Sequence, residues 1–184
     1  MPRTSLLLLL SAFGCASSTN IGSSAQSTTT NIAGVTTGTF AKLSMVAESE
    51  PVVLPLAASP EGAWAQVAPA YTEIGIPLTI VAADAKLAGN QGFNVRRSIG
   101  RIPMRNYLRC GDDGTGPNAD TYQISMNIAT QIQKVDDGTS KVATVMDATA
   151  TSPTMGGNLI HCSTTGELEA RVNEVVATLL NLRK

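Results

Sequence analysis

The chain of 184 residues contains a single histidine, His161, which narrows the chemistry open to it. As a general base, His161 would need a serine or cysteine nucleophile within hydrogen-bond reach and a carboxylate to orient the imidazole. The sequence has no GxSxG pattern, which marks one class of such nucleophiles. One histidine also rules out a multi-histidine metal centre. We therefore expect no catalytic residues, no metal and no cofactor, and we place His161 in a surface loop.

Two cysteines, Cys110 and Cys162, lie in the part of the chain with regular hydrophobic patterning. If the chain is exported, as its N-terminus indicates below, they meet an oxidising compartment and are expected to form a disulfide. Closing a loop of about 50 residues would stabilise the fold by roughly 4 kcal/mol in the chain-entropy model. The alternative is a redox-active or metal-binding thiol, which a CxxC spacing or a flanking acidic cluster would support. The sequence has neither.

A run of arginines is the most distinctive charge feature. No acidic residue occurs between Asp84 and Asp112. The arginines of this stretch are Arg96, Arg97, Arg101, Arg105 and Arg109. They could dock anionic headgroups, lipopolysaccharide phosphates or an acidic partner surface. The alternative is a solvated arginine face paired with aspartates elsewhere, namely Asp112, Asp113, Asp136 and Asp137.

The stretch 111–120 is rich in glycine and aspartate, a composition that can suit calcium. An EF-hand would need oxygen ligands at alternating positions and a glutamate at the twelfth, and this stretch does not match that spacing. The glycines are also not followed by the Lys-Ser or Lys-Thr of a phosphate-binding loop. The stretch is therefore predicted to be a turn-rich connection.

The N-terminus has the layout of an export signal. Arg3 supplies a positive charge, and an apolar core of about eight residues follows, too short to cross a bilayer. The core ends in Ala12-Phe13-Gly14-Cys15, which resembles the lipobox of bacterial lipoproteins. The resemblance implies a signal peptide at 1–14 and lipidation of Cys15 as the first mature residue. Cleavage by ordinary signal peptidase is the alternative, and it would leave Cys15 free.

The stretch 15–39 is predicted to be a flexible tether behind the lipidated cysteine. From Ala16 to Thr39, twelve of 24 residues are serine or threonine and none is charged. Such a segment lacks the large apolar side chains that offset ordering entropy, and its r.m.s. reach would be about 25–30 Å. Because Ala16 rather than aspartate follows Cys15, the lipoprotein resemblance implies the outer membrane, facing the periplasm. A soluble periplasmic or secreted protein is the alternative.

Residues 40–184 are expected to form a single domain with two main helices. The first is predicted to start at Ser59 as N-cap with Pro60 in the first turn, to be kinked at Pro69 and to end at Gly75. The second is predicted from a capping box at 164–167, with Glu167 and Glu169 favoured near its N-terminus. The apolar stripe of this C-terminal helix comprises Leu168, Val172, Val175, Leu179 and Leu182.

The strand predictions centre on one long hairpin. Apolar and mainly polar residues alternate over 122–133, Asp136-Asp137-Gly138 turns the chain, and 141–151 returns. Shorter strands are predicted at 40–46, at 52–56 (an edge strand because of Pro55), at 78–81 and at 87–95. The pattern indicates an α+β fold with two layers, in which the C-terminal amphipathic helix covers one face of a mainly antiparallel sheet and the other face is wet.

Two features carry a resemblance at the level of architecture. They are the Ser59-Pro60-Glu61 helix start with its Ile-Gly-Ile-Pro exit, and the long C-terminal helix. Together they resemble a helix-grip arrangement over about residues 50–183. START-type ligand-binding domains and the domains of the envelope lipoprotein BamC share that arrangement. The BamC-like resemblance fits the lipobox, and it implies an assembly or scaffolding part without catalytic residues.

We expect an exported, non-catalytic structural or interaction component of the cell envelope. The predicted partners are the membrane, through the lipid on Cys15, and an envelope protein or anionic headgroups. The net charge of −1 excludes a strongly basic nucleic-acid binder. The alternative is a periplasmic module that binds a small apolar ligand or lipid between sheet and C-terminal helix. That alternative requires a cavity of roughly 300 Å³ or more under Leu168, Val172 and Val175.

Overall fold

The computed structural model describes residues 50–154 and 157–182. The predicted signal peptide, Cys15, the tether and the weak strand at 40–46 lie outside the described residues. The helices are α1 (Pro60–Ile74), α2 (Asn118–Thr121) and α3 (Glu167–Asn181), with a 3₁₀ turn at Met104–Asn106. The strands are β1 (Val52–Leu56), β2 (Ile80–Ala82), β3 (Leu87–Val95), β4 (Ser98–Ile99), β5 (Ile102–Pro103), β6 (Leu108–Arg109), β7 (Gln123–Lys134), β8 (Ser140–Thr151) and β9 (Leu159–Thr164).

Helix α1 begins and ends where its capping residues predict. The Ser59 hydroxyl accepts a hydrogen bond from the Gly62 backbone N–H at 3.2 Å, and Pro60 is the first helical residue. At the other end Gly75 adopts the left-handed conformation, with φ of 88°, and closes the last turn. The helical assignment is continuous through Pro69. Local sequence signals were therefore sufficient to place this helix.

Seven strands form one mainly antiparallel sheet, in the order β2-β3-β7-β8-β9-β6, with β1 also paired to β8. Strands β2, β3, β7 and β8, each predicted from the sequence, lie side by side in the sheet. Strand β1 pairs with β8 alone among the described strands, as the prediction from Pro55 requires. The fold is α+β, with α1 and α3 packed against the sheet.

The core lies between the helices and one face of the sheet. Leu168 and Val172 of α3 are fully buried there, and Met126 and Met146 meet them from β7 and β8. The opposite face is less wet than expected, since Leu87, Ala129 and Val145 form a small second buried cluster. Ala129 is directly opposite Val145 in the ladder, and both are buried.

Several short elements were not predicted from the sequence, and the start of α3 was misplaced. Strands β4, β5, β6 and β9 and helix α2 were not predicted. Helix α3 begins two residues later than the proposed capping box implies, because its N-cap is Gly166, with φ of 82° and no side-chain capping bond. Glu167 is thus the first helical residue, and Glu169 occupies the third position, where a capping-box carboxylate would stand.

Candidate functional site

Arg105 and Arg109 line two neighbouring grooves at the surface of the domain. One groove, of about 850 Å³, lies between the segment around the 3₁₀ turn and the first half of α3. The other, of about 600 Å³, lies between the same segment and the loop that leads into α2. Asn106 lines both grooves together with the two arginines. This arginine-lined region is a concave surface of the domain.

The structure gives Arg105 and Arg109 intramolecular partners. The backbone N–H and the guanidinium of Arg105 both donate to the carboxylate of Asp120, at 2.9 and 2.8 Å. The alternative of a paired arginine face named four other aspartates, and for Arg105 that choice of partner is wrong. The guanidinium of Arg109 donates to the backbone carbonyls of Arg105 and Leu108. Both side chains therefore help to fix the segment that carries them.

Two further residues of the larger groove, Tyr107 and Arg171, were not predicted from the sequence. The Arg171 guanidinium donates to the Tyr107 hydroxyl at 3.2 Å, a contact between residues 64 positions apart. Glu167 and Glu174 also line this groove, four residues before and three residues after Arg171 on α3. Helical spacing could have grouped the three charged residues, but nothing local links them to Tyr107. Because arginines and glutamates both line this groove, its charge does not select for an anionic or for a cationic ligand.

The other three predicted arginines, Arg96, Arg97 and Arg101, lie apart from these grooves, on and beside the small β4–β5 hairpin. Their side chains are exposed. Within residues 50–154 and 157–182 none of the three forms an ion pair or a side-chain hydrogen bond. The predicted patch of five arginines is thus divided. Arg105 and Arg109 bond to neighbouring groups, whereas Arg96, Arg97 and Arg101 have no such bond among the described residues.

The predicted disulfide is present between Cys110 and Cys162, whose Cα atoms are 4.4 Å apart. Both cysteines are almost fully buried. Strand β6 pairs with β9 through Leu108 opposite Thr164 and Arg109 opposite Ser163. The two cysteines continue that register, so the bond closes the end of this short ladder. Cys162 belongs to strand β9, whereas the sequence placed it in a loop.

His161 also lies in β9 and not in the predicted surface loop, although its side chain is exposed as expected. It is opposite Thr149 of β8 in the ladder. The described part of the chain brings no carboxylate or hydroxyl into hydrogen-bond contact with its imidazole.

Asp112 and Asp113 bond to their own loop. The carboxylate of Asp112 accepts from the Gly114 N–H, and that of Asp113 accepts from both the N–H and the hydroxyl of Thr115. These hydrogen bonds, led by the one from the Thr115 hydroxyl, lower the pKa of Asp113. Among the described residues no group of three or more His, Cys, Asp and Glu side chains could hold a metal ion. The bonding is that of a turn-rich connection.

Glu169 is an almost fully buried carboxylate that the sequence assigned only to a favourable helix terminus. Its side chain is 2% exposed, and one oxygen accepts a hydrogen bond from the Thr164 hydroxyl at 2.6 Å. The other oxygen has no hydrogen-bond partner in the described structure. Burial raises the pKa of Glu169 above its usual 4.5, against the lowering effect of the Thr164 bond. The folded state thus holds the Glu169 proton more tightly than the unfolded chain does.

We predict that Glu169→Gln stabilises the domain at neutral pH. A raised pKa means that the folded state holds the Glu169 proton more tightly than the unfolded chain, so the wild type loses stability as pH rises from about 4.5 through the folded-state pKa. The amide keeps an oxygen for Thr164 and carries no charge. Urea unfolding should give Glu169→Gln the higher midpoint at pH 7 and a shrinking advantage towards pH 4.

Glu174→Gln is the matched control, because Glu174 is exposed on the same helix. Its midpoint should follow the wild type closely across this pH range. A Glu169→Gln variant that is less stable than the wild type at pH 7 would show that the carboxylate charge is favourable at this site.

A buried chain of hydrogen bonds crosses the core from α1 to β1. The Tyr71 hydroxyl and the Thr130 hydroxyl are 3.0 Å apart, and those of Thr130 and Thr144 are 2.8 Å apart. Thr144 donates to the side-chain carbonyl of Asn173 at 2.7 Å, and the Asn173 amide donates to the Val52 carbonyl at 2.9 Å. Burial raises the pKa of Tyr71 well above its usual range, so its phenol stays protonated. These side chains connect both helices to the sheet.

No protein-family model matches this chain, and no curated protein matches it with significance. No helix among the described residues has the length and apolarity to cross a membrane.

Proposed function

We propose that this chain is a non-catalytic structural or interaction component of the bacterial cell envelope. In this proposal it is exported, lipidated on Cys15, and held at the outer membrane on the tether at 15–39. The folded domain then meets an envelope partner from the periplasmic side. The N-terminal sequence supports the anchor, and the disulfide between Cys110 and Cys162 is in keeping with an oxidising compartment.

The packing beneath α3 is the observation that favours this role over binding of an apolar ligand. Leu168 and Val172 have no exposed surface, and they share one core cluster with Tyr71, Met126 and Met146. The side chains that would line a ligand cavity are instead in contact with the core. Neither Leu168 nor Val172 lines either of the two arginine-lined grooves described above.

Intact-mass spectrometry of the membrane and soluble fractions of a bacterial host tests the anchor. We expect a mature chain that starts at Cys15, carries acyl mass and is found in the membrane fraction. The control is Cys15→Ser, which should lose the acyl mass and the membrane location together. Crosslinking from the anchored wild type would then identify the envelope partner. An unacylated, soluble wild-type chain would contradict the anchor and give the ligand-binding alternative priority.

A further inference from the structure

The segment that carries Arg96, Arg97 and Arg101 lies at one end of the sheet. Strand β3 ends at Val95, which is opposite Ile124 near the start of β7, and Ile124 is in turn opposite Ala150 near the end of β8. From there the chain runs towards β6, on the far side of β9. We call this end of the sheet the arginine end. The β7–β8 turn marks the opposite end.

The backbone at the arginine end is held by the core. Ile99 of β4 is 5% exposed, and Met104 directly after β5 has no exposed surface. The Met104 N–H donates to the Arg97 carbonyl at 2.7 Å. Arg97 itself has φ of 67°, in the left-handed region that is uncommon for a residue with a side chain. Packing and hydrogen bonding thus hold a strained residue in place, with its side chain exposed.

The charges of these three arginines are uncompensated in the part of the chain that the structure describes. Arg105, by contrast, is paired with Asp120. The other nearby carboxylates along the chain, Asp112 and Asp113, bond to their own loop and not to these arginines, and the five arginines of 96–109 still outnumber the three aspartates of 112–120. Three guanidinium groups within six residues therefore project their charge into solvent.

The opposite end of the sheet has a different balance of charge. Lys134 pairs with Asp137 at the β7–β8 turn, and Lys86 pairs with Glu61. Asp136 adds a further carboxylate at this turn. Its pKa is lowered by the hydrogen bonds that it accepts, above all by the one from the Thr139 hydroxyl. Ten strand residues separate this turn from Ile124, a distance of about 33 Å. The domain is electrically polarised along its strands.

The direction of β1 relates this polarity to the proposed anchor. Val52 is opposite Thr144 and Leu56 is opposite Ser140, so β1 runs towards the β7–β8 turn. The chain therefore enters the sheet from the direction of the arginine end. An anchor at Cys15 is upstream of that entry point.

We propose that Arg96, Arg97 and Arg101 dock the domain on the phosphate groups of anionic lipids in the membrane that holds the anchor. This inference rests on the membrane attachment proposed above and adds which end of the domain faces the lipid. Guanidinium groups form charge-assisted hydrogen bonds to phosphate. Strand β1 starts opposite Thr144 and runs away from the arginine end, so the residues before Val52 approach the sheet from the side of these arginines. Anionic surfaces attract such residues with an affinity that falls as salt rises.

The test uses the chain from residue 15 onward with Cys15→Ser, so that no acyl group contributes to binding. It is sedimented with vesicles of phosphatidylcholine containing about one quarter phosphatidylglycerol, and with pure phosphatidylcholine vesicles. We expect salt-sensitive binding to the anionic vesicles only. Replacing all three arginines by glutamine should weaken that binding by about 100-fold, from roughly a fivefold contribution of each arginine.

The matched control is the triple variant Lys86→Gln, Lys134→Gln and Lys141→Gln, which removes the same charge near the opposite end. It should bind as tightly as the parent, and circular dichroism should show both triple variants folded. Equal losses in the two triple variants would overturn the proposal, since net charge alone would then explain binding. No binding to anionic vesicles at low salt would also overturn it and favour an acidic protein surface. The lipid anchor is tested separately, because the vesicle experiment uses a chain without an acyl group, and acylation of Cys15 is measured only by the intact mass of the mature chain.

Discussion

Replacing Asn173 by alanine should destabilise the domain by about 3 kcal/mol, since it leaves two hydrogen-bonding groups without partners at roughly 1–3 kcal/mol each. The Thr144 hydroxyl loses its acceptor, and the Val52 carbonyl loses a donor. Asn173 is 1% exposed and Thr144 fully buried, so water does not readily replace either bond. With a urea slope of about 2 kcal/mol per molar, the unfolding midpoint should fall by about 1.5 M.

The control for this variant is Asn181→Ala, on the exposed end of the same helix, which should shift the midpoint little. A double-mutant cycle isolates the contact itself. Thr144→Val and Asn173→Leu should each be costly alone, but together they remove both partners and should cost less than the sum of the two. Additive costs would show that the buried chain is a set of independent contacts.

Much of the fold could be predicted because its longest elements carry strong local signals. Helix α1 has a serine cap, a proline at its first position and a glycine at its end, and the structure uses all three. The hairpin of β7 and β8 alternates over twelve residues in each strand, which defines register as well as strand type. Both signals depend on residues close together in sequence.

The missed elements depend on distant residues. Strand β6 has two residues and pairs with β9, some 55 positions later, so neither strand has a local hairpin signal. The start of α3 was misplaced because Thr164 and Glu169 bond to each other across Gly166, which replaces the expected capping box. Short or shifted elements of this kind are specified by tertiary contacts rather than by propensity.

The residues of the candidate site could be predicted from the sequence, but their positions relative to one another and their contacts could not. The sequence identified all five arginines and both cysteines of the disulfide. It could not separate Arg105 and Arg109, which have partners, from the three arginines beside β4 and β5. That separation comes from the path of residues 96–109, which Ile99 and Met104 fix in the core.

Removing the disulfide should lower the free energy of unfolding by up to about 4 kcal/mol. The bond closes a loop of 52 residues, and in the chain-entropy model this constrains the unfolded state by that amount. The variant is Cys110→Ala with Cys162→Ala, in a chain from residue 15 that also carries Cys15→Ser so that no free thiol interferes. The measurement is urea unfolding of the two chains with and without reductant.

Reductant supplies the internal control, because it should shift the parent to the midpoint of the double variant and leave the double variant unchanged. Hydrogen exchange should then locate the loss. Amides in β6 and β9 should exchange faster, since the disulfide closes their ladder, while β7 and β8 keep their long pairing. If the reduced parent keeps its oxidised midpoint, the native contacts of Cys110 and Cys162 alone hold the ladder, and the bond is dispensable for stability.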